Sequence, residues 1–415
     1  MVRQRTLTPS VGGSNPPSPA QELLFGSSFF VIQMFLFVRK PFRSEGRTQM
    51  LVMLIFGSFI LAAVAGLIYI LTRFRKFSFV KRLSGGKTWL SVIIAAIPVA
   101  AMAVWCFMKP VMAVIAVIHL LVIWLLSELL GLIVHRVTGR KQGSIYWQGI
   151  LALFATAVYL SIGWYLAHHV VETDYRITTA KDLGMDQLRI VQISDSHTGA
   201  TFDGDGYAKH METIQQVHPD LVVITGDYVD DGTTREDMIK CCEAMGKMES
   251  TYGVFFVYGN HDRGYFNNRD FSYQDLEEEL EKNNVTVLKD ETVQITDKIY
   301  LIGRRDRSMQ DRLSMQELTA DLDKDRYMIV LDHQPHDFAA QTESGVDLVL
   351  CGHTHGGQMW PVGLLGECSG ANEKTYGLEV RDNTTFIVNS GISDWAIPFK
   401  TACIAEFGVI DIVPE

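Results

Sequence analysis

The chain has 415 residues, a formal net charge of −10, and 20% charged against 47% hydrophobic residues. No basic surface is evident in its C-terminal half, which argues against a general nucleic-acid binder, so no nucleic-acid partner is expected. Six cysteines are too few and too scattered for a disulfide framework, although Cys368 and Cys403 would be free to pair in an extracytoplasmic domain.

The average composition hides an asymmetry: residues 1–170 are dominated by long apolar runs, and the remainder reads as an acidic globular domain. Residues 1–49 read as a leader or a misassigned N-terminus, with Met34 or Met50 as the expected start. Thr8 to Ala20 is rich in Pro, Ser and Gly, like a disordered tail. Leu23 to Val38 is apolar but short, and Arg39, Lys40, Arg43 and Arg47 follow it. A span here would place basic clusters at both ends of the next helix, against the positive-inside rule.

Residues 50–170 form a transmembrane region of about four helices, since crossing the hydrocarbon core takes ~20 mostly apolar residues. The windows are Met50 to Leu71, Trp89 to Met108, Val111 to Val134, and Trp147 to Ala167. Lys109-Pro110 makes a tight turn, and Trp89 and Trp147 sit at window ends, where indoles favour the interface. Arg73, Arg75, Lys76, Lys81, Arg82 and Lys87 lie in one loop, and Arg136, Arg140 and Lys141 in another. Positive-inside counting puts both loops in the cytoplasm. The chain is then an integral protein of the cell membrane with its soluble domain extracytoplasmic. Glu128 is the one acidic residue in these windows, and it reads either as a transport-like carboxylate or as a group satisfied inside the bundle. With no internal repeat or broken helix pair, the helices read first as an anchor.

Residues 171–415 carry apolar strands alternating with helices. Strands are expected at Leu188 to Asp195, Leu221 to Asp227, Val254 to Asn260, Val285 to Leu288, Ile299 to Gly303, Tyr327 to Asp332, Asp347 to Cys351, Phe386 to Asn389 and Cys403 to Ile412. Helices are expected at Gly206 to His218, Arg235 to Glu249 and Tyr273 to Lys282. Continuous apolar strands spaced by helices indicate a layered α/β fold with buried sheet faces.

Chemistry gathers at the ends of these strands. Asp195-Ser-His197, Gly226-Asp227, Gly259-Asn-His-Asp262 and Gly352-His-Thr-His-Gly-Gly-Gln358 each follow an apolar run, and His333 ends a fifth. Asp-x-His or Gly-Asp alone is commonplace in turns. The ordered set, rich in Asp, Asn and His and without Cys, suits borderline-hard divalent cations. Two such cations sharing a carboxylate make phosphoester hydrolysis the natural chemistry.

These motifs resemble the calcineurin-like metallophosphoesterase superfamily over residues 186–412. The Gly352–Gln358 stretch, Thr375-Tyr-Gly-Leu378 and Asn389-Ser-Gly-Ile392 resemble its bacterial membrane-anchored branch. The resemblance implies a four-layer fold, two packed β-sheets flanked by helices, here preceded by the helical membrane region. It implies that Asp195, His197 and His355 hold one metal, and that Asp227 bridges to a second held by Asn260, His333 and His353. It makes His261 a catalytic group that touches substrate or protonates the departing alkoxide; an ordinary imidazole titrates near enough to neutrality for that role. Two divalent ions are implied, manganese first, with iron or zinc also suited to the donors. Asp262 is expected to orient a neighbouring imidazole or to lie on a surface turn.

The expected activity is hydrolysis of a phosphomono- or phosphodiester by a metal-bridging hydroxide. Tethering at the bilayer favours a phospholipid or envelope-lipid intermediate as substrate, and Tyr228, Tyr265, Trp360 and Trp395 are candidates for an aromatic rim. The competing readings are a catalytically silent metal-binding sensor or scaffold, and a regulatory domain of a membrane transporter.

Overall fold

The structure is a computed structural model that describes residues 46–139, 143–264 and 269–415. The expectations for Leu23 to Val38 and the leader through residue 45, and for Arg140, Lys141 and Tyr265, lie outside the described residues. The chain divides into two compact units, residues 1–158 and 159–415.

The first unit contains α1 (Gly46–Phe74), the short α2 (Ser78–Leu83), α3 (Thr88–Met108), α4 (Pro110–Thr138) and most of α5 (Trp147–His168). Helices α1, α3, α4 and α5 are long and apolar enough to cross a membrane. Lys109 ends α3 and Pro110 opens α4, where the missing amide and fixed φ of proline fit the first helical turn. Small residues let the helices approach: a side chain at Gly66 of α1 would meet Val117 and Leu121 of α4 at 3.3 Å. Leu61, Ile97, Phe107 and Leu132 stay exposed, as lipid-facing side chains do. Glu128 is not an isolated intramembrane acid. It pairs with Lys76 Nζ at 3.0 Å and Arg73 Nε at 3.2 Å, and accepts from the Tyr146 hydroxyl, so the basic linker neutralises it.

The second unit is built on two six-stranded sheets. One has the order β1 (Val171–Thr179), β12 (Glu406–Pro414), β2 (Leu188–Ile193), β3 (Leu221–Thr225), β4 (Val254–Val257), β5 (Val285–Val287). The other runs β10 (Gly377–Arg381), β11 (Thr384–Val388), β9 (Leu348–Cys351), β8 (Tyr327–Leu331), β7 (Ile299–Gly303), β6 (Glu291–Thr296). Strands β2 to β5 are mutually parallel, as are β7, β8, β9 and β11, so each set aims its C-terminal ends one way.

Side-chain alternation along each strand creates the layers. Leu221 and Val223 of β3 enter the apolar layer between the sheets with Ile190, Val257, Leu301, Ile329, Leu331 and Leu350. Val222 and Ile224 face the other way, under α6 (Gly204–Ile214), α7 (Arg235–Met245) and α8 (Tyr273–Lys282). Val330, Val349 and Phe386 likewise pack under α9 (Met315–Thr319) and α10 (Phe338–Glu343) on the outer face of the second sheet. The result is the expected four-layer arrangement, helices–sheet–sheet–helices.

Strands β1, β6 and β10, with short helices α9, α10 and α11 (Val362–Cys368), are additions to the sequence reading. The three strands carry polar, half-exposed faces at or near sheet edges, so they lack the continuous apolar runs that reveal β3 or β8. Cys368 and Cys403 are free thiols, and Cys403 Sγ instead donates to the His355 carbonyl at 3.1 Å.

Candidate metal centre

Each motif sits where a parallel strand ends. Asp195 and His197 follow β2, Asp227 follows β3, Asn260 and His261 follow β4, His333 follows β8, and His353 and His355 follow β9. The first three strands belong to one sheet and the last two to the other. Two bonds tie the sheets together here: Gln192 Nε2 donates to the Cys351 carbonyl at 2.8 Å, and His333 Nδ1 pairs with the Thr225 carbonyl at 2.7 Å.

The loops turn sharply to aim these groups. Asp195, His197, Asp227, His353 and His355 all have φ between 36° and 73°, a region that costs an L-residue about 1–2 kcal/mol. Such strain persists only where the surroundings over-determine it. Gly226, at φ 84°, is required sterically, because a Cβ there would lie 2.7 Å from His333 Nδ1.

Three donor clusters result. Asp195, His197 and His355 bring ligand atoms within 4.8 Å of one another, as do Asp227, His333 and His353, and as do His197, Asp230 and His261. Asn260 joins the second cluster, its Oδ1 3.2 Å from His333 Nε2. Asp227 Oδ2 faces both sides, 3.6 Å from His197 Nε2 and 3.1 Å from His333 Nε2. The structure thus brings together every residue singled out as a ligand, with His261 beside them.

The electrostatics suit cations. Burial works against ionising Asp227, but His333, His261 and His197 outweigh it and hold its carboxyl well below the usual range. Burial likewise opposes a proton on His197, yet Asp230, Asp227 and Asp195 push it up to about 9, the signature of a strongly negative surrounding field. Burial and neighbouring imidazoles keep His353 neutral, down to about 4, and lower His355 well below the ordinary value, leaving both rings able to donate a lone pair. His197 is fully buried, and its ring nitrogens lie 3.6 Å from Asp227 Oδ2 and 3.4 Å from Asp230 Oδ2 without completing a hydrogen bond. Buried polar atoms and carboxylates thus converge where a cation would satisfy them. The nitrogen and oxygen donor set therefore fits divalent metal ions.

Two expectations change. Asp262 neither orients an imidazole nor lies on the surface: fully buried, it accepts the amides of Asp227, Tyr228, Val229 and Gly259 at 2.7–3.1 Å. Its role is to hold the loop carrying Asp227 in shape. Tyr228 is no rim residue; it is fully buried against Tyr207 and Phe256. Trp360 and Trp395 are exposed, and the Trp395 ring lies 5.4 Å from that of His261.

Two supports escaped the sequence reading. Asp230 contacts His261 Nδ1 at 3.0 Å and His197 Nδ1 at 3.4 Å. Its only sequence signal is a second carboxylate in Gly226-Asp-Tyr-Val-Asp230. Lys400, fully buried, donates to the carbonyls of Ser390, Gly391 and Ser393 at 2.7–3.2 Å and pairs with Asp394 at 3.3 Å. That loop backs Asp195, for Ile392 N donates to the Ser194 carbonyl at 2.9 Å.

Comparison with known proteins places the chain. The family model described as calcineurin-like phosphoesterase matches residues 188–357, a span containing all eight of the residues predicted to act at the site. An uncharacterized metallophosphoesterase of Helicobacter pylori (strain ATCC 700392 / 26695) is 32% identical over 238 residues, covering 55% of this chain and 60% of that protein. Another, from Aquifex aeolicus, is 30% identical over 195 residues, covering 46% of this chain and 71% of that protein. A transmembrane protein with metallophosphoesterase domain from Danio rerio is 28% identical over 277 residues, with 62% and 61% covered. The chain thus spans about three fifths of the length of the Helicobacter relative. Shared motifs, a matching domain model and an Aquifex relative covered over most of its length lead to one conclusion: the chain belongs to the calcineurin-like phosphoesterase family.

Proposed function

We propose that this protein is a membrane-anchored phosphoric ester hydrolase that works with two divalent metal ions. The observation that carries the reading is the Asp227 carboxylate, whose Oδ2 faces His197 on one side and His333 on the other. Asp195, His197 and His355 would hold one ion, Asn260, His333 and His353 the other, and Asp227 both. Such a pair, when bound, supplies Lewis acidity toward phosphoryl oxygens and renders water acidic enough for attack near neutral pH. Manganese is the first choice by family likeness.

The chain's own residues supply the rest. His261 is placed to give a proton to the departing alkoxide. Asp230 accepts from Nδ1–H of that ring and so leaves Nε2 as the atom that exchanges the proton. Asp262 fixes the Asp227 loop, so both donor clusters keep their spacing.

The substrate is a phosphomono- or phosphodiester on a lipid, such as a phospholipid or an envelope-lipid intermediate. The catalytic unit faces the extracytoplasmic side of the cell membrane; the basic residues Arg73, Arg75, Lys76, Lys81, Arg82 and Lys87 between the first two spans support that sidedness. The test is turnover by the metal-supplemented full-length protein of bis-p-nitrophenyl phosphate, p-nitrophenyl phosphate and a lipid phosphoester, with elemental analysis alongside. Asp227→Asn should empty both metal positions, whereas His261→Ala should keep its metal and slow turnover. Protein without stoichiometric transition metal, or a fully active His261→Ala variant, would overturn the reading.

A further inference from the structure

The second unit begins at residue 159, so the last turns of α5 belong to it. Within this unit, the segment between β11 and β12, which abuts the loop after the His353–His355 motif, is bound to those turns. Lys400 N donates to the Gly163 carbonyl at 2.9 Å and Ala405 N to the Leu166 carbonyl at 2.9 Å. Thr401 touches Gly163 as well, since a Cβ on that glycine would lie 2.9 Å from Thr401 Cγ2. Thr401 in turn accepts the Trp360 amide at 3.2 Å, and its own amide donates to the Gln358 carbonyl at 2.8 Å.

These bonds fix a depth. Gly163 lies five residues before the end of α5 at His168. At 1.5 Å per residue that is about 7.5 Å inside the end of a helix just long enough to cross a ~30 Å hydrocarbon layer. A segment bonded at Gly163 and at Leu166, nearer the helix end, therefore lies in the outermost part of that layer and reaches its edge. The exposed Trp164 and Tyr165, aromatic residues of the kind that settle at that level, agree.

The surface carried at this depth is apolar. Trp360 is 69% exposed, Val362 53%, Leu364 58% and Leu365 61%, all on α11 or the turn before it. Side chains of this size left in water on one short helix mark an interaction surface. The bilayer already holding α5 is the occupant continuous with it. The surface also leads to the chemistry: Gln358 Nε2 donates to the carbonyls of Trp395 at 3.2 Å and Ile397 at 2.9 Å, and the Trp395 ring stands 5.4 Å from His261.

We infer that Trp360, Val362, Leu364 and Leu365 form a lip inserted in the outer part of the bilayer, along which a lipid-borne phosphoester passes from the membrane past Trp395 to His261. This deepens the lipid-hydrolase reading and rests on it for the substrate, though not for the insertion.

The full-length protein in proteoliposomes containing brominated phospholipid tests both parts. The fluorescence component lost in Trp360→Phe should be quenched by the lipid, as is the component lost in Trp164→Phe, the reference inside the span. A Trp360 component that only aqueous iodide quenches refutes insertion. One shielded from both quenchers also refutes it and points to a protein partner. The pair Leu364→Asp and Leu365→Asp should lower the ratio of lipid-phosphoester to bis-p-nitrophenyl phosphate turnover by on the order of tenfold. An unchanged ratio refutes delivery along the lip. Quenched Trp360 with no turnover on any phosphoester would sink the hydrolase reading while leaving the lip in place.

Discussion

Replacing Asp230 with Asn tests how the site is supported, because this carboxylate touches two imidazoles with different duties. It lies 3.0 Å from Nδ1 of His261, the proposed proton donor, and 3.4 Å from Nδ1 of His197, a proposed metal ligand. Burial opposes its charge, but contact with the His197 and His261 rings holds its carboxyl far below the ordinary range, so it is ionised at neutral pH. A hydrogen bond to a charged group contributes about 1.5–3 kcal/mol, which at 1.4 kcal/mol per decade corresponds to roughly 10–100-fold. Asp230→Asn keeps the shape and removes the charge. The shorter contact is to His261, so kcat should fall by about that factor, while metal affinity, reported by the longer contact to His197, changes less. A double-mutant cycle with His261→Ala separates the two arms. If Asp230 acts through His261, Asp230→Asn added to His261→Ala should cost little further kcat. Full additivity in kcat together with unchanged metal affinity in titrations would refute the assignment.

Two further predictions concern the scaffold. Arg304 Nη1 bonds Asp332 Oδ2 at 2.8 Å, and Arg312 and Gln341 reach the same oxygen, all beneath the turn that carries His333. Arg304→Met should destabilise the second unit by about 1.5–3 kcal/mol, since it removes one charged donor from a buried carboxylate that Arg312 and Gln341 still serve; denaturant unfolding showing under about 0.5 kcal/mol would contradict this. In the other sheet, Arg189 Nε and Nη2 each lie 2.8 Å from an oxygen of Asp411, and this bonding lowers the Asp411 pKa. A depressed folded value means the stabilisation is complete above the unfolded carboxylate value of about 3.9 and is lost as pH falls through the folded one. The pair is partly exposed, so Asp411→Asn should cost no more than about 1 kcal/mol at pH 7, shrinking in acid. A melting-temperature difference that stays constant from neutral to strongly acidic pH would exclude this linkage.

Local sequence revealed what depends on local physics. Four apolar windows announced the long helices, and strands such as β3 and β8 declared themselves because both their faces are buried and every residue is apolar. The donors were legible for the same reason: Asp195, Asp227, His333 and His353 are polar residues standing just after such runs, where a buried strand must end in a loop. Edge strands β1, β6 and β10 were harder to see because one face meets water and the apolar run breaks up.

The remaining features depended on contacts distant in the chain. Asp262 follows His261 directly, yet it serves the backbone of Asp227 to Val229, on the neighbouring strand's loop. Asp230 gained its role only when β2, β3 and β4 brought His197 and His261 to the same carboxylate. Tyr228 has the composition of a rim residue, but the helices over the first sheet bury it. Sequence by itself determined which side chains could bind metal and which segments could enter a membrane, because donor chemistry and hydropathy belong to individual residues. Tertiary structure alone decided that two sheets close over one site and which carboxylate supports which imidazole, because burial and distance are set by packing between segments far apart in the chain.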